Sequence, residues 1–370
     1  MREILIVAGE ASGDLHGGGV ADELRVMQPG RPLAGVGGIR MHAAGVELLE
    51  RVENLAVMGF AEVLLHVPKH WALLRRLKTR LRSGRVGLVI LIDYPGFNMK
   101  LAAAAKGAGV PVLYYVTPQV WAWGAGRLPK LASLITKAAP ILPFEEALLR
   151  KHGIDATFVG HPLLDRAAGL PSRAEARAQL GLEPNARVLA LFPGSRAQEI
   201  TRHLDDFVAV GREMQRRVPG LAVIVSVAST IEIDAARCPF PMVRGQSFPL
   251  LRAADAAMCK SGTTTLEAAV AGCPLVVAYR TSSWTYWIAR RVVKIPHIGL
   301  VNVVAGREVA REFVQDALEP NAVSDELLQL LDSASPRRME VERGLADVRA
   351  KLGTPGAAAR VARVALGIAT

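Results

Sequence analysis

Short β-branched runs bounded by glycine recur along the first half of the chain, at Ile4 to Val7, Leu33 to Val36, Leu88 to Ile92, Val112 to Tyr115 and Phe158–Val159. The stretches between them are helix-like and long enough for crossovers, so the pattern predicts βαβ repetition and a parallel sheet. From His161 to Arg187 the rhythm stops in a polar, Ala/Arg-rich stretch carrying Pro162, Pro171 and Pro184, and apolar runs resume at Val188 to Phe192, Val223 to Val227, Ala256 to Cys259 and Leu275 to Ala278. The expected organisation is a first α/β domain over residues 1–165, a linker, and a second over 186–335. Helical sequence rich in Arg, Ala, Glu and Leu fills 336–370, and it could pack on either domain.

Composition narrows this picture. A chain of 370 residues, 51% apolar and 21% charged, has material for two packed cores and is no candidate for disorder. No apolar run approaches the ~20 residues of a membrane-spanning helix. Met1 leads almost at once into the first strand, leaving no room for a secretory leader, so a cytoplasmic location is expected. Cys238, Cys259 and Cys273 form no CxxC pair, which argues against a disulfide framework or a zinc knuckle. With 45 Lys+Arg against 34 Asp+Glu, the net charge of +11 points to a polyanionic partner: nucleic acid, an anionic lipid surface or a phosphorylated substrate.

Several strand ends carry candidate chemistry. Gly9 to Gly17 is a loop whose small residues, Ser12 and Gly13 among them, could bring backbone close to a ligand at a helix N-terminus; a tight turn explains it equally well. Its glycine spacing is not GxGxxG, and the next strand ends in Val36-Gly37-Gly38 without an acid for a ribose hydroxyl, which disfavours a nicotinamide enzyme. Asp93, at the end of Leu88 to Ile92 and before Pro95, is placed either to act on a ligand or to cap a helix. Tyr114, Tyr115, Trp121 and Trp123 crowd the end of the following strand and suggest a pocket wall.

In the second domain Pro193-Gly194-Ser195-Arg196 follows a strand, and Ser261-Gly262-Thr263-Thr264-Thr265 opens a helix. Hydroxyls and free N–H groups there make an anion site, Arg196 can neutralise a diphosphate, and Glu267 could accept from ribose hydroxyls. The ligand these residues imply is a sugar nucleotide. Two basic stretches also contain apolar groups. In one, Lys69, Arg75, Arg76, Lys78, Arg80, Arg82 and Arg85 stand against Glu62 alone, with Met58, Phe60, Leu64, Leu65 and Trp71 between Val57 and Arg85; Leu73 or Leu74, Leu77 and Leu81 fall at helical spacing. In the other, Trp284, Tyr286 and Trp287 precede Arg290, Arg291 and Lys294, within an acid-free span from Ala268 to Arg307. Each fits an interfacial membrane patch or a helix docked on its own sheet.

Taken in order, these motifs resemble the lipid-A-disaccharide synthase family. The matches run through Ala8 to Asp14, Val57-Met58-Gly59, Asp93 to Asn98, Pro118 to Trp123, Pro143-Phe144-Glu145, Gly160-His161-Pro162, Pro193 to Arg196, Ser261 to Glu267 and Gly299 to Arg307. The resemblance implies an α/β protein of GT-B type, with two Rossmann-like domains facing a central cleft. It implies inverting transfer of 2,3-diacylglucosamine from UDP-2,3-diacylglucosamine to the 6-hydroxyl of 2,3-diacylglucosamine 1-phosphate, giving the β-1′,6-linked disaccharide and UDP. The family's important Asp, Arg and Asn fall on Asp93, Arg196 and Asn302, and donor contacts extend to Gln315. Gly96 stands where some relatives have a second Asp, and Ala310-Arg311-Glu312 departs from a common Pro-Glu.

The mechanism expected has Asp93 as general base, Glu10 and His16 as fallbacks, and Arg196 with the Ser261 to Thr265 helix start stabilising the departing UDP. No constellation has metal-ligand spacing, and neither metal nor cofactor is called for. Expected partners are the two acylated sugars and an anionic membrane surface, at the cytoplasmic face of the inner membrane, and not nucleic acid; a homodimer is left open. The rival readings are a UDP-sugar epimerase or hydrolase of similar fold, and a basic nucleic-acid-binding protein.

Overall fold

The computed structural model describes the whole chain except residues 56–59, 123, 230, 283–285 and 288–295 and the side chains of residues 60–67 and 125. Val57-Met58-Gly59, the side chains of Phe60, Leu64 and Leu65, and Trp123, Trp284, Arg290, Arg291 and Lys294 thus lie outside the described residues. The chain forms two compact units, one of residues 1–162 with 353–370 and one of residues 163–352.

The first unit is built on a six-stranded parallel sheet of β1 (Glu3–Ala8), β2 (Leu33–Gly37), β3 (Glu47–Arg51), β4 (Val86–Ile92), β5 (Val112–Tyr115) and β6 (Lys137–Ala139), in the order β3-β2-β1-β4-β5-β6. Every residue of β1 and β4 is buried, because helices cover both faces of a parallel sheet. The helix Ala11–Met27 approaches the short helix Ile39–Ala43 closely. A Cβ at Gly17 would lie 2.6 Å from the Met41 sulfur, and one at Gly18 would lie 3.1 Å from Arg40 backbone, so these glycines set the helix spacing.

The second unit repeats the plan with β7 (Val188–Phe192), β8 (Ala222–Val227), β9 (Met242–Arg244), β10 (Ala256–Lys260), β11 (Leu275–Tyr279) and β12 (Glu312–Val314), all parallel, in the order β12-β11-β10-β7-β8-β9. In both sheets the strand order reverses beside the first strand, between β1 and β4 and between β7 and β10. Ligands of open α/β sheets bind at the carboxyl ends of strands at such points.

The interior strands match the apolar runs. Phe158–Val159 does not pair as a strand; only an isolated bridge between Ala138 and Ala156 marks that segment. The linker expected between 165 and 186 is instead built into the second unit. Ser172 and Glu175 form a capping box that starts helix Arg173–Gln179, and Arg177, buried, donates to Asp255 at 3.1 Å and to the Ala253 carbonyl at 3.1 Å. The C-terminal helices part company. Pro336–Lys351 packs in the second unit through Val341, Leu345 and Val348, while Ala357–Ile368 joins the first, burying Val361, Ala362 and Ala365 with Ile4, Ile6 and Leu88.

Candidate active site

At the β1/β4 switch point the chain after β4 is held in an unusual form. Asp93 and Tyr94 take φ of 45° and 50°, in the left-handed region that side chains other than glycine seldom occupy. Three contacts enforce it. The buried Asn98 amide donates to the Ile92 and Asp93 carbonyls at 3.2 and 2.8 Å, and the Tyr114 hydroxyl donates to the Asp93 carbonyl at 2.7 Å. The Tyr94 ring lies over Gly9, where a Cβ would come within 2.1 Å of it, and its hydroxyl bonds His70 Nε2 at 2.5 Å. Gly9 is therefore required by the packing of the two loops.

Helix Pro95–Gly107 begins after Tyr94, whose side chain does not cap it, and Asp93 stands partly exposed at the sheet edge. At Gly96 a Cβ would meet nothing within 4 Å, so this site has room for the second carboxylate of some relatives. Glu10 is exposed and accepts from Ser12 Oγ at 2.7 Å, and the His16 ring meets Tyr115 edge-on at 5.9 Å; both belong to the same carboxyl edge. Gly13 is buried, with its would-be Cβ 3.0 Å from that of Ala8, so close packing restricts this position to a small residue. Asp14 caps helix Ile39–Ala43, accepting from the N–H groups of Gly38, Arg40 and Met41 at 2.6, 3.0 and 3.0 Å.

Beyond β5, Trp121 Nε1 donates to Glu145 at 3.0 Å and the Leu142 N–H to its other oxygen at 3.2 Å. Glu145 is 3% exposed. Burial outweighs these hydrogen bonds and pushes its carboxyl up to about 7. The motif around Glu145 was visible in the sequence; its tie to Trp121 was not.

In the second unit the residues singled out from the sequence fall into two groups. Ser195 and Arg196 are exposed after β7, and Thr263 and Thr264 are accessible at the start of helix Thr264–Ala271 after β10, so both loops of the switch point present polar groups. Glu267, nearly buried, pairs with Arg166 at 3.2 Å. The others are engaged internally. Ser261 Oγ donates to the Ile298 carbonyl at 2.7 Å, Thr265 Oγ1 to that of Gly262 at 2.8 Å, and Gln315 exchanges hydrogen bonds with the Thr281 backbone at 2.6 and 3.0 Å.

Asn302 is fully buried. Its oxygen accepts from Val309 and Ala310 N–H at 2.8 and 2.9 Å, and its nitrogen donates to the Ala310 carbonyl and Glu312 at 2.6 and 2.8 Å. Every hydrogen-bonding position of the amide is filled by groups of the protein itself. Glu312 likewise accepts from the Ile298 and Gly299 N–H groups that precede helix Leu300–Ala305. Asn302, Glu312 and Gln315 fix the loops at the carboxyl ends of β11 and β12.

Glu199 and Lys260 were missed as a pair. Glu199 follows Arg196 in the first turn of helix Ala197–Arg217 and accepts from Lys260 Nζ at 2.9 Å and from the Ser195 N–H at 2.9 Å. Burial alone would raise its carboxyl; the Lys260 hydrogen bond, the Ser195 N–H and the charges of Lys260 and Arg196 hold it below the usual range. An acid three residues past Arg196 was the available signal.

Two Rossmann-like units, one offering a carboxylate and the other cations and a helix start at the switch point, define the GT-B class. Solved structures share the fold: the UDP-GlcNAc 2-epimerase of Neisseria meningitidis bound to UDP-GlcNAc has a TM-score of 0.67 at 13% identity, covering 99% of this chain and 100% of that one. The glycosyltransferase of kitacinnamycin has a TM-score of 0.67 at 14% identity, covering 100% and 99%. The chain belongs to the lipid-A-disaccharide synthetase family, whose model matches residues 4–354. It is 42% identical to the lipid-A-disaccharide synthase of Syntrophus aciditrophicus over 98% of this chain and 97% of that one, and 40% identical to that of Trichlorobacter lovleyi over 99% and 97%.

Proposed function

We propose that the chain transfers 2,3-diacylglucosamine from its UDP derivative to the 6-hydroxyl of 2,3-diacylglucosamine 1-phosphate, with inversion, releasing UDP. The observation that carries this is the family match from residue 4 to 354. The epimerase alternative is not favoured, because its likeness is one of fold at 13% identity. In this reading Asp93 takes the proton of the acceptor hydroxyl as the new C–O bond forms, since a neutral alcohol is a poor nucleophile. Arg196, Thr263 and Thr264, with the positive end of helix Thr264–Ala271 behind them, stabilise the negative charge that UDP carries away. Glu267 accepts from the ribose. Incubation with labelled UDP-diacylglucosamine, with and without the acceptor, should give disaccharide only when both are present; release of free diacylglucosamine or of an epimer would refute the assignment.

We propose peripheral attachment at the anionic cytoplasmic face of a membrane, a reading supported by the acyl chains of both proposed substrates. Among the described residues no helix is long and apolar enough to cross a bilayer. Helix Phe60–Arg82 buries Leu73, Leu74, Leu77 and Leu81 against its own sheet, and Arg80 is tied to Glu3 at 2.8 Å and to Glu47 at 3.1 Å, so that face and Arg80 are unavailable to lipid. What supports attachment is the outer side of the helix, where Trp71 is 58% exposed with the Lys100 ammonium over its ring, flanked by exposed Lys69, Arg75 and Arg82. Each basic residue near an anionic surface contributes ~1 kcal/mol. Replacing Lys69, Arg75 and Arg82 with Gln should release the protein from sedimenting phosphatidylglycerol vesicles at moderate salt while UDP binding persists. Unchanged sedimentation would make this helix ordinary fold surface.

A further inference from the structure

Lys260 ends β10, beside β7 at the switch point of the second unit, with Cys259 in register with Phe192. Three distances place its ammonium. It donates to Glu199 Oε1 at 2.9 Å, stands 5.8 Å from the centre of the Tyr279 ring, and lies 3.8 Å from where a Cβ on Gly262 would be. The last distance matters because Gly262 belongs to the turn that presents the N–H groups of helix Thr264–Ala271. The Glu199 oxygen that takes Lys260 also lies 3.9 Å from Arg196 Nη1, while its other oxygen takes the Ser195 N–H. One carboxylate therefore gathers two cations and the backbone of one switch-point loop at the mouth of the other. Gly194 makes room for it: φ there is 143°, and a Cβ would fall 2.5 Å from that of Glu199.

We infer that Lys260 is a second cation of the diphosphate subsite, held with Arg196 on Glu199 until a diphosphate takes the carboxylate's place. This rests on the reading of the second unit as the UDP-sugar unit. The charge balance favours it: a diphosphate carries at least two negative charges and gains another as the sugar leaves, whereas Arg196 and a helix N-terminus, roughly half a positive charge, supply less. Lys260 completes the match, and its flexible stem lets the ammonium exchange one oxyanion for another without moving the strand. A lysine serving only as a strut between β10 and helix Ala197–Arg217 would be indifferent to the ligand's phosphates.

Calorimetry on the full chain with uridine, UMP and UDP separates these cases. Lys260→Met should weaken UDP binding by about 10- to 100-fold, the loss of one charge-assisted contact, with uridine changed by less than about 3-fold. Lys260→Arg should restore most of the loss. Glu199→Gln, which keeps an acceptor for the Ser195 N–H but removes the competing charge, should bind UDP at least as tightly as the unaltered chain. If the unaltered chain shows no preference for UDP over uridine, the reading of this unit fails and the inference with it. If that preference exists and survives Lys260→Met, or if Lys260→Met weakens uridine and UDP equally, the reading stands and the inference is wrong. Should the Met variant melt far below the parent, the comparison passes to Lys260→Arg and Glu199→Gln, where loss of UDP preference in the second overturns the exchange.

Discussion

Asp93→Asn is expected to lower turnover by about 10²- to 10⁴-fold, the usual worth of a general base, with UDP binding retained. The substitution is clean for a structural reason. The strained backbone at Asp93 is held through its carbonyl, by Asn98 and Tyr114, which Asp93→Asn leaves in place. Asparagine is also among the residues that tolerate a φ of 45° best, so the loop should keep its shape while losing the proton acceptor. Single-turnover product analysis with both substrates saturating reads the chemical step directly. Turnover within a few-fold of the parent would transfer the role to Glu10 or His16, which share the same sheet edge.

Glu145→Gln should make the protein more stable than its parent in alkaline solution, and by an amount that grows with pH. The Glu145 carboxyl ordinarily titrates near 4.5 and, folded, near 7. Between those values the folded chain holds a proton that the unfolded chain has released, so raising the pH through this window destabilises the fold. Below it neither state is ionised; above it both are, and the full penalty of a buried carboxylate is in force. The shift corresponds to about 3 kcal/mol, which glutamine, mimicking the neutral acid towards Trp121 and Leu142, does not incur. Urea unfolding at pH 5 and pH 8, followed by tryptophan fluorescence, should show the variant gaining on the parent by that order. A difference independent of pH would mean that Glu145 is ionised throughout.

The interior of each sheet was legible because β-branched runs buried on both faces are a strong local signal, and the reversal of strand order then fixed which loops meet. The edges were not. β3, β9 and β12 are short and partly exposed, and β6 is three residues long, so none leaves an apolar run. The destination of the final helices was hidden for another reason: an apolar stripe shows that a helix packs, not on what. Site residues divided along a similar line. Asp93, Arg196, Thr263 and Thr264 were singled out by position at strand ends, and the structure leaves each of them at least partly exposed there. Asn302, Gln315, Ser261 and Thr265 stand at similar positions, yet their polar groups are engaged by Val309, Thr281, Ile298 and Gly262, and whether an amide meets a ligand or a carbonyl is decided by partners often remote in sequence. Glu199 and Lys260, sixty-one positions apart, are paired by the same long-range logic.

The route of the chain also bears on how the protein comes into being. Residues 163–352 are an insertion within the first unit, entered after Pro162 and left before Gly353, and a Cβ on Gly353 would lie 3.3 Å from the Cα of Gly160. A ribosome delivers residues in order, and domains commonly mature in that order too. Here the order inverts. The second unit has all its segments as soon as Leu352 emerges, while the sheet of the unit begun first still lacks Val361, Ala362 and Ala365 on one face. The carboxylate-bearing half is thus completed last, and its uncovered apolar face is the surface that chaperones would meet during synthesis.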